Sequence, residues 1–308
     1  MQKGVLKVGK KVVFFLSTDK YPSPFDVLVI YDAGADAVVP CGGLELDDVR
    51  DLVLDAMFPR GPKGIVDTTI FIGGKDVDKC EKVLDIAKRA MFPPFEIAIA
   101  FDPAGACTTS AAMVAKVAKA VKEKLDKSLS DITVTILAGS GAVGSRAALL
   151  FAKDGARVVV GASRVEAAQK VAKEVNEKIG EERVRPAFVP RSISEDKGET
   201  YEACKDSDVV VSTAAPGVIK LPLEILKKLD KCRVVADVNA VPPLGIEGLK
   251  MDSDSEELIP GVYGIGPLSI GNVKLQAELK LIEKAINSKK GVFGHEEAYD
   301  LAKELVGV

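Results

Sequence analysis

The stretch from residue 132 to residue 164 restricts the fold of this chain more than any other. An apolar segment ending at Ala138 leads into Gly139-Ser-Gly-Ala-Val-Gly144, and an alanine- and leucine-rich segment then reaches Arg157-Val-Val-Val-Gly-Ala162. This order predicts a strand, a glycine turn, a helix and a second strand, the first βαβ unit of a dinucleotide-binding domain. The glycine spacing alone would also suit a tight turn without a ligand, so the flanking segments are what favour a ligand.

Each glycine of this turn has a separate predicted task. Gly139 lets the chain turn sharply off the strand, and Gly141 leaves room for a pyrophosphate at the helix N-terminus, where free N–H groups attract anions. Gly144 allows the helix to lie close to the sheet. The predicted cofactor contacts are therefore all the residues of the turn: Gly139, Ser140, Gly141, Ala142, Val143 and Gly144.

The end of the second strand predicts which dinucleotide binds. Enzymes that use NAD place an Asp or Glu about 20 residues past the glycines, where it binds the ribose 2′-hydroxyl. This chain has Ser163 and Arg164 there and no carboxylate before Glu166. A hydroxyl and a guanidinium suit a 2′-phosphate, so NADP is expected rather than NAD. The alternative is that Arg164 only begins the next helix on a solvated face.

The composition excludes several classes of function. With 308 residues the chain can form two domains. Its 42 Lys and Arg residues against 45 Asp and Glu residues give a net charge of −3, so no nucleic-acid or anionic-membrane partner is expected. No apolar run approaches the ~18 residues of a membrane-spanning helix, and the first residues lack the apolar core of a signal peptide. A cytoplasmic protein is therefore expected.

Cysteine and histidine usage narrows the chemistry further. The five cysteines are scattered and no two show C-x-x-C spacing, which indicates free or buried thiols in a reducing compartment and no metal site. The single histidine, His295, begins an amphipathic helix near the C-terminus and is expected to be solvated there. A Ser-His-Asp hydrolase and a histidine-based dehydrogenase are therefore not expected.

The rest of the sequence predicts an α/β protein with two domains. Strand-like and helix-like segments alternate before residue 127, which favours a parallel sheet there as well. The polar run 124–131 predicts the boundary between an N-terminal α/β substrate domain (1–127) and a Rossmann-type NADP-binding domain (128–268). The C-terminal helices (269–308) have no strand after them and are expected to pack back across the cleft onto the N-terminal domain.

Three turns of small and polar residues follow predicted strands, at 102–109, 212–217 and 237–245. Each could be an ordinary turn, but ligands of open α/β sheets bind at the carboxyl ends of the strands. The second turn is expected to line the nicotinamide half of the cofactor site through Thr213 and Ala214. The third, with a double proline, is expected to be a rigid wall carrying Asp237 for substrate and Asn239 for substrate and cofactor.

Several motifs occur in the order found in one known family, over almost the whole chain. They are Pro24-Phe-Asp-Val, Tyr31-Asp-Ala-Gly-Ala-Asp36, Ile70-Phe-Ile-Gly-Gly74, Thr108-Thr109, Leu137-Ala-Gly-Ser-Gly-Ala-Val-Gly144, the run from Ala236 to Ile246 and the run from Gly264 to Lys274. On these motifs the chain resembles the NADP-dependent methylene-tetrahydromethanopterin dehydrogenases of one-carbon metabolism, which are related to the methylene-tetrahydrofolate dehydrogenases. It departs from them at Pro267 and at Ser269-Ile-Gly-Asn272, where the family has a more compact glycine run before the lysine.

The resemblance implies transfer of a hydride from the methylene carbon of methylene-tetrahydromethanopterin to NADP⁺, and it leaves methylene-tetrahydrofolate open as a second substrate. It also implies an active-site role for Lys274 and a pterin contact for Asp26, with Asp102, Thr108 and Thr109 as further substrate-side candidates. By analogy with the family a homo-oligomer, a trimer, is expected. The product is a methenyl cation stabilised by two nitrogens, so the chemical step moves no proton and needs no histidine.

Other interpretations remain open at this point. Lys274 could be an ordinary helix lysine, and Asp26 could serve only as an acid at a helix N-terminus. A shikimate-dehydrogenase-like NADP oxidoreductase would need a Lys–Asp pair in the first domain, where Lys75 is the lysine at a predicted strand end. A third hypothesis is a nucleotide-binding sensor that catalyses no reaction.

Overall fold

The computed structural model describes residues 9–308 and shows two separate sheets, each built mainly from parallel strands. The strands are β1 (Val12–Ser17), β2 (Ala37–Cys41), β3 (Thr68–Gly73), β4 (Ala98–Phe101), β5 (Thr133–Leu137), β6 (Arg157–Ala162), β7 (Val184–Phe188), β8 (Val209–Ser212), β9 (Val234–Asp237), β10 (Asp254–Ile259), β11 (Val262–Ile265) and β12 (Gly291–Phe293). The helices are α1 (Pro24–Asp32), α2 (Leu46–Met57), α3 (Gly61–Gly64), α4 (Val77–Ala90), α5 (Ala106–Leu125), α6 (Ala142–Lys153), α7 (Val165–Ile179), α8 (Glu199–Cys204), α9 (Leu223–Leu226), α10 (Pro267–Ile286) and α11 (His295–Val306).

The chain divides into two compact units. The first contains the described residues up to Cys107 together with Gln276–Ala298, and the second contains Thr108–Leu275 with Tyr299–Val308. The sequence placed the first boundary about twenty residues later, at 127/128, because the polar run there resembles a linker. In the structure most of α5 belongs to the second unit. The predicted C-terminal segment 269–308 is divided between the units, and its middle part joins the first.

The first sheet has the strand order β12-β4-β3-β1-β2, with every pair parallel. Numbered along the chain this is the order 2-1-3-4-5 of doubly wound folds. Alternate residues of its strands face two apolar clusters, one shared with α2 and α4 and the other with α1 and the end of α10. The connection that follows β1 leads to β2 on one side of the sheet, whereas the connection that follows β3 leads to β4 on the other side. The strand order therefore reverses between β1 and β3.

The second sheet has the order β10-β11-β9-β8-β5-β6-β7, and only β10 is antiparallel to its neighbour. Its parallel part is the Rossmann order 3-2-1-4-5-6, which reverses between β5 and β8. From Val134 to Leu137 every residue of β5 is buried, as expected for a central strand covered on both faces. The predicted α/β class with parallel sheets is confirmed.

Four strands, β2, β10, β11 and β12, are absent from the sequence prediction. β2 carries Pro40 at the edge of its sheet, where a missing N–H is tolerated, and β10 is rich in charged residues. β12 has only three residues and pairs with β4 at the other edge. The expectation that no strand belongs to the C-terminal segment is therefore wrong, since β12 lies between α10 and α11.

Within residues 9–308, no helix is both long enough and apolar enough to cross a membrane. All five cysteines lie in this range and are free, and Cys41 alone is not fully buried. Burial raises the pKa of Cys41 and of Cys80, and it raises the pKa of Cys232 to about 12. The thiolate is the reactive form of cysteine, so the burial of these thiols and their raised pKa both slow their chemical modification.

Native protein is therefore expected to react slowly with dithionitrobenzoate at one thiol, Cys41, and with all five thiols once guanidinium unfolds it. The absorbance of the released thionitrobenzoate gives the number of labelled thiols in the native and in the unfolded protein. A Cys41→Ser variant should show no labelling in the native state and four thiols after unfolding. Rapid labelling of two or more native thiols would contradict the buried positions of the other four cysteines.

Candidate cofactor and substrate sites

Two glycines of the turn after β5 are required by the packing of the chain itself. The Gly139 N–H donates to the Gly161 carbonyl oxygen over 2.8 Å, and a Cβ on Gly139 would lie 2.9 Å from the Ile136 carbonyl oxygen. A Cβ on Gly144 would lie 2.6 Å from the Cα of Gly139. The first turn of α6 thus rests directly on Gly139 of the glycine turn, whereas the sequence predicted a close approach of the helix to the sheet.

Gly141 differs from the other two glycines of the turn, because no contact within residues 9–308 requires a glycine there. A Cβ at this exposed position would meet no atom closer than 3.7 Å, and its φ of −79° and ψ of 176° are open to any residue. Gly141 is also the N-cap of α6, and no side chain caps that terminus. Free N–H groups and space for an anion therefore coincide, which fits the pyrophosphate of a dinucleotide. The half-buried residues Ser140, Ala142 and Val143 line the same turn.

The other predicted phosphate contacts lie where β6 ends. Ser163 and Arg164 are both exposed, and Arg164 is the N-cap of α7, a terminus without a side-chain cap. Among residues 9–308 the Arg164 guanidinium has no hydrogen-bond or ion-pair partner. A hydroxyl, a guanidinium and open N–H groups at the end of the second strand fit the 2′-phosphate of NADP.

Thr213 and Ala214 follow β8, at the point where the strand order of this sheet reverses. The Thr213 N–H donates to the Leu137 carbonyl oxygen over 3.0 Å, and its hydroxyl lies 3.2 Å from the carbonyl oxygens of Leu137 and Ala138. Thr213 therefore holds the end of β8 against the glycine turn. Ala214 is buried beside it. Both residues are on the edge of the sheet where a nicotinamide would lie.

The structure uses Asp237 and Asn239 to shape a loop. Oδ1 of Asp237 accepts the Asn239 N–H over 3.0 Å, and Oδ2 accepts the N–H groups of Gly245 and Ile246. The Asn239 side chain accepts from the Val241 N–H over 2.9 Å and donates to the Val241 carbonyl over 3.0 Å. Burial raises the pKa of Asp237, and these N–H groups counter part of that shift. Both side chains were predicted as ligand contacts, but their polar atoms are engaged within the loop 238–246.

On the first unit, Asp26 lies at the place where that sheet reverses its strand order. It is the third residue of α1, and its N–H donates to the Ser23 hydroxyl over 3.3 Å. A Cβ on Gly73 would lie 3.5 Å from Oδ2 of Asp26, so the half-buried carboxylate stands over the end of β3. An acid at this edge is well placed to accept hydrogen bonds from a ligand with N–H groups.

The turn that follows β3 completes this edge, and sequence reasoning missed its neighbour Thr18, the first residue after β1. The Thr18 N–H donates to the Gly73 carbonyl over 3.2 Å, and a Cβ on Gly74 would collide with the Thr18 hydroxyl. The Cys80 thiol donates to the same carbonyl over 3.3 Å. The 70–74 motif was visible in the sequence, but only the strand order shows that Thr18 lies beside it.

The remaining candidates lie after β4 and on α10. Asp102 is buried and accepts the Cys107 N–H over 2.8 Å, whereas Thr108 is buried and Thr109 half-buried on α5. The α10 helix begins at Pro267, because proline suits the first helical position. The half-buried Lys274 therefore lies in the third turn of this helix. His295 begins α11 as expected, but it is half-buried rather than solvated.

Among residues 9–308, no three His, Cys, Asp or Glu side chains are grouped so that they could hold a metal ion.

Comparisons with known proteins agree with this arrangement. The N-terminal family model of methylene-tetrahydromethanopterin dehydrogenase matches residues 24–104, a range that contains Asp26 and Gly73. The NAD(P)-dependent methylenetetrahydromethanopterin dehydrogenase of Methylorubrum extorquens is 36% identical over 303 residues, which cover 97% of this chain and 100% of that protein. The bifunctional protein MdtA of the same organism is 36% identical over 298 residues, again covering 97% and 100%.

Among solved structures, the ligand-free 5-ketofructose reductase of a Gluconobacter strain has a TM-score of 0.55 at 16% identity. The match covers 97% of this chain and 100% of that one. At this identity the likeness concerns the fold alone, and it agrees with the two parallel sheets described above.

Proposed function

The chain belongs to the methylenetetrahydromethanopterin dehydrogenase family, and on that premise we propose that it transfers a hydride from methylene-tetrahydromethanopterin to NADP⁺. The observation that carries the cofactor half of the proposal is the open space at Gly141, in front of an uncapped helix. Identity to the Methylorubrum extorquens dehydrogenase along nearly the whole chain supports the substrate half.

The reaction requires the protein to position the reactants and to provide a suitable charge environment, and it requires no proton transfer. The methylene carbon lies between two nitrogens, whose lone pairs stabilise the methenyl cation left when the hydride departs. Bound NADP⁺ supplies the hydride acceptor, the C4 atom of its nicotinamide. The chain's task is to hold the reacting carbon in a near-attack geometry and to exclude water. A mechanism of this kind needs no imidazole.

Residues of the second unit would bind the cofactor in separate parts. Gly141 and the N–H groups of α6 receive the pyrophosphate, while Ser163 and Arg164 receive the 2′-phosphate. Thr213 keeps the glycine turn in register with β8. Asp237 and Asn239 remain proposed ligand contacts, and their hydrogen bonds also set the loop beside this edge of the sheet.

Residues of the first unit would bind the pterin. The Asp26 carboxylate is proposed to accept hydrogen bonds from the amino and ring N–H groups of the pterin, a pairing that gives charge-assisted bonds. Thr18 and the 73–74 turn shape the same edge. Asp102 remains a proposed substrate-side residue and also fastens the start of α5. Thr108 and Thr109, the first residues of the second unit, remain proposed substrate-side residues as well.

Lys274 is proposed to contact the pterin carbonyl, since a cation placed against the forming methenyl cation would oppose the reaction. Replacing it by alanine removes one oriented donor, so kcat is expected to fall about 100-fold while the Kd for NADP⁺ stays unchanged. Lys280→Ala, on the same helix, serves as the matched control and should keep wild-type kcat. A Lys274→Ala enzyme with wild-type kcat would reject this role.

The activity itself is tested by mixing the protein with methylene-tetrahydromethanopterin and NADP⁺ and following the absorbance of the methenyl product. Parallel assays with methylene-tetrahydrofolate, with shikimate and with NAD⁺ give kcat/KM for each pair. We expect the highest value for the methanopterin substrate with NADP⁺. Turnover of shikimate without turnover of either pterin would favour the shikimate-dehydrogenase-like alternative, and turnover of none would leave only a binding role.

A further inference from the structure

A second arginine reaches the same edge of the second sheet as Arg164, on the loop that follows β7. Strands β6 and β7 are parallel with Ala162 opposite Phe188, and the Val189 N–H donates to the Ala162 carbonyl over 3.0 Å. The two chain segments therefore leave the sheet side by side, Ser163-Arg164 from β6 and Pro190-Arg191 from β7. Both arginines are exposed.

A buried lysine fastens this loop. Lys220 is only 8% exposed, and its ammonium donates to the carbonyl oxygens of Pro190 over 2.8 Å and Arg191 over 2.6 Å. Such bonds are what a buried ammonium needs to offset its lost hydration. Burial lowers the pKa of Lys220, and the charge of Arg191 lowers it further, which indicates that the guanidinium is close to the ammonium.

The backbone of Lys220 is held in turn by the loop that Asp237 closes. The Lys220 N–H donates to the Gly245 carbonyl over 2.7 Å, and the Gly245 N–H donates to Oδ2 of Asp237. Acidic side chains also face the lysine, since Glu195 and Asp196 raise its pKa in opposition to Arg191. Lys220 thus connects two loops: its backbone is bonded to the 238–246 loop, and its ammonium is bonded to the loop of Arg191.

This arrangement gathers positive charge at one place on an acidic protein. Two guanidinium groups extend from adjacent strand ends, and among residues 9–308 neither makes an ion pair with a carboxylate. Paired guanidinium groups match the oxygens of a phosphate monoester, because each offers N–H donors in a planar fork. The adjacent ends of the second and third Rossmann strands are the part of the fold that meets the adenosine ribose.

We propose that Arg191 is a further specificity-determining residue for NADP, contacting the 2′-phosphate together with Arg164, and that Lys220 is the positioning residue that holds Arg191 there. The inference rests on the proposed function only in requiring that the second unit bind NADP. It assigns no role to the pterin or to the hydride step.

The test measures binding and not turnover, by titration calorimetry of each variant with NADP⁺ and with NAD⁺. The two ligands differ only in the 2′-phosphate, so a residue that contacts this group affects NADP⁺ alone. Arg191→Ala is expected to raise the Kd for NADP⁺ about tenfold and to leave the Kd for NAD⁺ unchanged. Arg164→Ala should behave in the same way.

Arg157→Ala is the matched control, because Arg157 is exposed at the opposite end of β6. This substitution should change neither the Kd for NADP⁺ nor the Kd for NAD⁺. If Arg191→Ala leaves the NADP⁺ constant unchanged, or weakens both ligands equally, the inference is overturned while the proposed function stands. If the wild-type protein binds neither dinucleotide, the cofactor half of the proposed function fails as well.

Lys220 is tested with Lys220→Met, which keeps the apolar stem and removes the ammonium. Its preference for NADP⁺ over NAD⁺ is expected to fall in the same direction as for Arg191→Ala, and by a smaller factor. Lys220→Gln, which retains one donor for the carbonyls, should restore part of that preference. An equal loss for both ligands would show a structural role only, and a wild-type preference in Lys220→Met would reject positioning by the ammonium. If Lys220→Met does not fold, Lys220→Gln and Arg191→Ala still decide the question.

Discussion

Replacing Gly141 by alanine is expected to weaken NADP⁺ binding by up to about 100-fold, because the pyrophosphate would lose charge-assisted hydrogen bonds worth about 1.5 to 3 kcal/mol. The new methyl group would occupy the space in front of the N–H groups of α6, and it would meet no protein atom closer than 3.7 Å. The backbone at this position already has a φ of −79° and a ψ of 176°, which alanine adopts without strain.

The same change should leave the fold intact, and by restricting the unfolded chain it should stabilise the protein by about 0.4 to 1 kcal/mol. Gly144→Ala provides the contrast, since its Cβ would lie 2.6 Å from the Cα of Gly139. That collision is expected to cost about 1 to 3 kcal/mol of unfolding free energy. Calorimetric titration and chemical denaturation of both variants separate the two effects. Near-normal NADP⁺ affinity in Gly141→Ala would mean that the pyrophosphate does not lie on this turn.

Replacing Asp237 by alanine is expected to lower the free energy of unfolding by about 3 to 5 kcal/mol. The carboxylate is fully buried, and its loss would leave the N–H groups of Asn239, Gly245 and Ile246 without their acceptor. Buried donors without a partner lose their hydration and gain nothing in exchange. The loop 238–246 is expected to become mobile, and Lys220, which it holds through Gly245, would lose a backbone anchor.

Urea denaturation followed by circular dichroism measures this loss. Asp206→Ala is the control, because Asp206 is exposed in the same unit and its removal should change stability by less than about 0.5 kcal/mol. Asp237→Asn keeps the shape but replaces one acceptor oxygen by a donor, so an intermediate loss is expected. A destabilisation of Asp237→Ala no larger than that of Asp206→Ala would contradict the anchoring role of the carboxylate.

Long periodic segments of the fold were predictable. The helix predicted after the glycine turn is α6, and the strand predicted before it is β5. In both, the pattern arises from neighbours in sequence, which share one helix face or one buried strand. β2, β10 and β12 carry no such pattern, because they are short or half-exposed and depend on strands far away in the chain. Their existence follows from pairing rather than from propensity.

The candidate sites divide in a similar way. The glycine turn and Ser163-Arg164 could be proposed as cofactor contacts from spacing alone, since all of them belong to a single βαβ unit. Asp237 and Asn239 were correctly placed at a strand end, but their hydrogen bonds to the loop 238–246 could not be seen in advance. Sequence reasoning did not single out Arg191, and nothing in the sequence linked it to Lys220.

The sequence by itself therefore determined the kind of protein: a parallel α/β chain with a dinucleotide turn, a basic strand end suited to a 2′-phosphate, and the motifs of one dehydrogenase family. Only the tertiary structure decided which residues meet. It placed Asp26 over Gly73, left Gly141 as the glycine of the turn that no contact with residues 9–308 requires, and joined Lys220 to the loop of Arg191. The reason is physical. Turn geometry and helix phase depend on residues a few positions apart, whereas these contacts join segments tens of residues apart that only the order of the strands brings together.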